Sequence, residues 1–169
     1  MDSLQPVDLL VALKLAALGD ANTPLRDLEE QLGVPKSTLA LSLKRLAAYR
    51  IVREVGGLRR LQRIGVRDLV EAGARWIAPG EIGDIELGLF TSHAAEPLAH
   101  HLMGDPDPLV MPLPRGPDRG RAVTPIHPAT PRAAARDEKL YRLLVITDAF
   151  RIGRARDREV AKTELRRWT

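Results

Sequence analysis

Three residues, Gly33-Val34-Pro35, separate two stretches of helical apolar spacing, and they leave room for nothing longer than a tight turn. Glycine supplies the left-handed backbone that ends one helix, and the proline keeps that helix from continuing. Upstream, Thr23-Pro24 gives an N-cap and a first helical residue, and Leu25, Leu28 and Leu32 mark a core face. Downstream, a helix is expected over residues 36 to about 49. Its phase puts Leu39, Leu43, Leu46 and Ala47 on one side and Ser37, Thr38, Leu41, Ser42, Arg45 and Tyr49 on the other. A preceding helix over residues 6–18 is apolar at Leu9, Leu10, Leu13, Ala16 and Ala17, with Asp8 and Lys14 off that stripe. After Tyr49, residues 51–55 and 58–64 read as strands about a Gly56-Gly57 turn, and residues 66 to about 76 as a further helix.

The net charge of +4 is a weak guide on its own, but its distribution is uneven. Residues 36–67 hold nine basic side chains against the single acid Glu54, a balance of +8. Residues 1–35 stand at −4, residues 68–131 at −5 and residues 132–169 at +5. A segment so one-sided suits a phosphate backbone, where each neutralised phosphate releases condensed counterions.

Ten of the thirteen prolines lie in residues 77–131, which argues against central strands and long helices there. The expectation is an irregular region with a few short strands, centred on a mobile loop or linker over residues 104–120. Order returns with Leu140, Leu143, Leu144, Ile146 and Phe150 at helical spacing. Gly153 breaks that run before a last charged helix. Arg151, Arg154, Arg156 and Arg158 form a second basic cluster, read as a salt-bridged helix because Asp157, Glu159 and Glu164 are interleaved. Trp76 and Trp168 are expected to anchor packing of the C-terminal region. The fold class is therefore α+β, with a DNA-binding unit over residues 1–67 and a mixed, proline-rich second unit over residues 68–169 closed by C-terminal helices.

The chain contains no cysteine, so disulfides, a thiolate nucleophile and Cys-based zinc are excluded. His93, His100, His101 and His127 follow no metal-ligand spacing, and there is no Gly-rich phosphate loop or serine elbow. No catalytic residue, metal or cofactor is expected. The absence of a long apolar run and of a basic leader suggests a cytoplasmic protein.

The segment from Thr23 to Leu46, with Leu32-Gly33-Val34, then Ser37-Thr38, then Lys44-Arg45-Leu46, resembles the helix-turn-helix of bacterial winged-helix transcription regulators over residues 5–67. That resemblance implies a winged helix-turn-helix on double-stranded DNA, and a repressor or autorepressor that binds as a homodimer. The candidate DNA-contacting residues are Lys36, Ser37, Thr38, Ser42, Lys44, Arg45, Tyr49, Arg53, Arg59 and Arg60. Thr38 and Ser42 are expected to reach base edges and Arg45 to pair with guanine. Arg53, Arg59 and Arg60 flank the wing tip. The stretches from Gly73 to Pro79, Thr91 to Leu98, Ala122 to Pro128 and Leu140 to Glu159 are similar to an uncharacterised bacterial family. Some of its members sit beside nucleotidyltransferase-like toxins, which implies an antitoxin-type module with a toxin-like protein partner as the alternative. A ligand-sensing regulator is the other alternative, and neither reading involves a membrane.

Overall fold

The structure, a computed structural model, describes residues 1–102 and 107–168. Two helices form its centre. Helix α1 (Pro6–Leu18) packs on α3 (Lys36–Ala48), on α4 (Arg63–Asp68) and on α7 (Glu138–Ile152). A helix enclosed on all sides must be buried all round, and α1 is: Val7 to Leu15 are all buried. This corrects the single-stripe expectation. Asp8 and Lys14 lie inside, with side chains 0% and 3% exposed. Each charge is therefore paired: Asp8 with Arg45, and Lys14 Nζ with Asp137 at 2.6 Å.

Helix α2 (Leu25–Leu32) ends at Gly33, whose φ of 70° is the left-handed turn expected there. Strands β1 (Val52–Val55) and β2 (Leu58–Leu61) form a hairpin closed by Gly56 and Gly57, both at positive φ. The helical run that follows begins at Arg63, earlier than expected. It continues through a π turn at Leu69–Gly73 into α5 (Ala74–Ile77). Trp76 projects from it 74% exposed, with Arg75 over its ring, so it does not anchor packing as expected.

The proline-rich region departs most from expectation. Strand β3 (Ile82–Thr91) is ten residues long and central, pairing antiparallel with β5 (Asp118–Val123) and then with β4 (Leu109–Pro112). Strands β4 and β5 pair in parallel and close a three-stranded barrel. Pro108, Pro112, Pro114 and Pro117 lie at strand ends and in turns, and β3 contains none. The loop or linker expected over 104–120 is thus replaced by β4, a turn and the start of β5 from residue 109 onward; its first residues, 104–106, lie outside the described ones. So few strands close only where backbones nearly touch. A Cβ on Gly88 would sit 1.9 Å from the Met111 carbonyl oxygen.

Helices α6 (Thr130–Arg136), α7 and α8 (Ala155–Trp168) follow, with Gly153 between the last two as expected. Asp137 caps α7 by accepting a hydrogen bond from the Leu140 amide. Arg151 is buried rather than part of a surface cluster, and Arg158 Nη1 donates to the Gly153 carbonyl. The buried apolar residues of α1, α2, α3, α4, α7 and α8 make one cluster, so the core has no break at residue 67. The fold is α+β. Among the described residues no helix is long and apolar enough to cross a membrane.

Candidate nucleic-acid interface

Helix α3 lies against both α1 and α2. Two neighbours cover a wider arc than a leucine stripe, and this changes the phase read from sequence. Leu39, Ser42, Leu43 and Leu46 are buried. Lys36, Ser37, Ala40, Leu41, Lys44, Ala47, Ala48 and Tyr49 are exposed, and Thr38 is half-buried. Ala47, expected in the core, is outside.

Two candidate base-reading residues are corrected by this geometry. Ser42 is fully buried, and its Oγ finds no hydrogen-bond partner, so it cannot meet a base edge. Arg45 turns inward, where its Nε and Nη2 donate to the two oxygens of Asp8 at 2.8 and 2.9 Å. The Asp8 hydrogen bond holds the Arg45 guanidinium above its ordinary pKa against the opposing pull of burial. A guanidinium held bidentate by a buried carboxylate is not available to guanine. It ties α3 to α1 instead.

What α3 does present is a stripe of Ser37, Leu41 and Lys44, with Lys36 at its start held loosely by Glu29 at 3.8 Å. Beyond the helix, Arg50 has a positive φ and turns the chain into the hairpin. The register sets Arg53 opposite Arg60, and Glu54 opposite Arg59. Alternation then puts Arg53, Val55, Leu58 and Arg60 together on the outer face, all exposed.

Arg59 behaves differently from its neighbours. Its Nη2 donates to the Thr23 carbonyl, and its backbone is clasped on both sides by the Asn22 amide. Among the described residues the side chains of Lys44, Arg50, Arg53 and Arg60 make no hydrogen bond or ion pair with another group. The interface therefore gathers Lys36, Ser37, Lys44, Tyr49, Arg53 and Arg60 on exposed surface, and leaves out Ser42 and Arg45. Sequence reasoning missed Asp8, although a carboxylate inside an otherwise apolar helix is itself a sign of a cationic partner.

The His100 and His101 rings lie against each other, with centroids 4.5 Å apart. His100 contacts Glu96, His101 lies near Glu164, and His127 Nδ1 accepts from the Ala129 amide. Among the described residues no three His, Asp or Glu side chains are grouped to hold a metal ion. Comparison with family models, with curated proteins and with solved structures finds no match to this chain in any of the three.

Proposed function

We propose that the chain is a winged helix-turn-helix regulator that binds double-stranded DNA, with the exposed stripe of α3 in the major groove and the β1–β2 hairpin as the wing. The observation that carries this reading is the Arg53–Arg60 pair. Like charges directly opposite on a hairpin are destabilising in isolation, and here no acid on the same face relieves them. A phosphate backbone supplies the missing counter-charge, and Lys44 on α3 lies within the same exposed basic segment. Base reading falls to Ser37 and Lys44, with Leu41 available to contact a thymine methyl group.

The test is binding to a duplex from the chain's own upstream region, followed across a salt titration. Replacing Arg53 and Arg60 together by serine should flatten the slope of log K against log salt by about 2, and weaken all sequences alike by about tenfold or more. Ser42→Ala should leave DNA affinity unchanged and the fold equally or slightly more stable, by up to about 1 kcal/mol, because it removes an unsatisfied buried hydroxyl. A wild-type slope in the double variant, or a lost operator preference in Ser42→Ala, would sink the assignment.

A second reading, a protein partner, is favoured by the ribbon of β3 and β5. Ile85 and Leu87 are 59% and 47% exposed there, opposite Arg121 and Arg119. The partner would be a second copy of the chain or a toxin-like protein, and the two differ in sedimentation: the first predicts a dimer of the chain alone.

A further inference from the structure

A cavity of about 240 Å³ lies beneath the hairpin, between the C-terminal end of α1, the loop leading to α2, strand β2, the start of α4 and the last turn of α8. Three guanidinium-bearing residues, Arg59, Arg60 and Arg63, line it against one carboxylate, Asp20. That carboxylate is already in use, since its Oδ1 accepts from the Asn22 amide at 2.8 Å. Among the described residues the side chains of Arg60 and Arg63 have no hydrogen-bonding or ionic partner. The rest of the lining is mixed: Asn22 is polar, Ala16, Ala21, Leu61 and Val66 are apolar, and the half-buried indole of Trp168 forms part of the wall.

We infer that this cavity is a binding site for a small planar organic anion, a single aromatic ring carrying a carboxylate or phosphate group. Each part of that ligand answers to something in the wall. The ring fits the indole and the aliphatic floor, where flat apolar surfaces gain from stacking as well as from burial. The acid meets Arg60 and Arg63, whose forked donors suit the geometry of carboxylate and phosphate oxygens. The volume falls below the usual range for drug-sized ligands, which limits the occupant to one ring.

The wall is also held in place before any ligand arrives. Asn22 Nδ2 donates to the Arg59 carbonyl at 2.9 Å, and the Arg59 amide donates back to Asn22 Oδ1 at 2.8 Å. This pairing extends the edge of β2 and fixes the rim of the pocket to the α1–α2 loop. A site whose backbone is already ordered loses less entropy on binding.

Arg60 belongs to the cavity and to the outer face of the hairpin. An anion that draws its guanidinium inward removes it from a phosphate, so ligand and DNA oppose each other. By linkage each weakens the other by the same factor. This coupling rests on the DNA-binding reading, whereas the site itself does not.

The experiment uses the full chain carrying Trp76→Phe, a change at an exposed ring, so that Trp168 is the sole indole. Benzoate and phenyl phosphate are titrated as probes. Inorganic phosphate serves as the charge without the ring, and benzyl alcohol as the ring without the charge. Saturable quenching by the first two, with dissociation constants below about 1 mM, is the expected result. Arg63→Ala should weaken it by about tenfold or more with the far-ultraviolet dichroism unchanged. No saturable quenching, equal quenching in Arg63→Ala, or equal binding of either control overturns the site.

A second arm measures DNA affinity with and without phenyl phosphate. A ligand-dependent loss supports the coupling, and a bound ligand that leaves DNA affinity unchanged overturns it. If the chain binds no DNA even without ligand, the DNA-binding reading fails, while the fluorescence arm still decides the site.

Discussion

Replacing Arg151 by methionine is expected to lower the unfolding free energy by about 3–5 kcal/mol, which would consume much of the stability of a domain this size. The side chain is 0% exposed. Its Nε donates to the Ala78 carbonyl at 2.6 Å and its Nη1 to Asp148 Oδ1 at 2.6 Å, while Nη2 reaches the carbonyl of Thr124 at 2.7 Å. One guanidinium thus ties the segment after α5, the segment after β5 and its own helix α7 together.

Methionine has similar bulk but no donors. The change leaves Asp148 buried with only the Thr91 hydroxyl, and the carbonyls of Ala78, Pro79 and Thr124 without the donors they now have. Arg151→Lys should recover only part of the loss, because one ammonium cannot span acceptors on three sides. The sharper measurement is a double-mutant cycle in urea. Arg151→Met combined with Asp148→Leu should cost less than Arg151→Met alone, since the orphaned charge goes too. A single-variant cost below about 1 kcal/mol would mean that the network does not hold these segments.

Lys14→Met is the second large effect, at about 2–3 kcal/mol, with a pH signature of its own. Burial pushes the Asp137 carboxyl up. The Lys14 hydrogen bond, the Leu140 and Lys139 amides and the Lys14 charge pull it further down, and its net pKa falls below the ordinary carboxylate value. The folded pKa is then lower than the unfolded one. The unfolded chain binds the proton more readily, and the stabilisation is complete above about pH 4 and lost as pH falls through the folded value. Lys14→Met removes much of that difference. Between about pH 5 and pH 2 wild type should therefore lose more stability than the variant, and the two unfolding curves should converge. Parallel curves would show that Lys14 does not set the titration of Asp137.

Local features were legible in the sequence, and long-range partnerships were not. Gly33 and the Gly56-Gly57 turn mark chain reversals through backbone conformation, a property of the residues themselves, and both turns form where expected, while Gly153 marks the break before α8 through its close approach to the Ala149 carbonyl. The side to which Arg45 turns depends on Asp8, 37 residues away, and the burial of Lys14 on Asp137, 123 residues away. Periodicity within α3 has no access to either. The error at β3 has another origin. Proline density says where hydrogen bonding stops, and Ile82–Thr91 lies between prolines rather than among them. Gly88, Gly116 and Gly120, whose missing side chains let the strands close, were the available sign of tight backbone contact. At the interface the basic segment was legible as a segment, because charge counts need no geometry. Which of its members face outward required the second helix packed on α3.

Helix α1 carries Asp8 toward α3 and Lys14 toward α7, six residues apart on one rod whose every side is covered. For anyone wishing to transplant residues 1–67 onto another scaffold, that rod is an obstacle. A graft cut at residue 67 would bring along an unsheathed apolar flank and a lysine stripped of its carboxylate, and should aggregate in a host scaffold unless α7 travels with it. The first 67 residues and the rest of this protein are not interchangeable parts but a single casting.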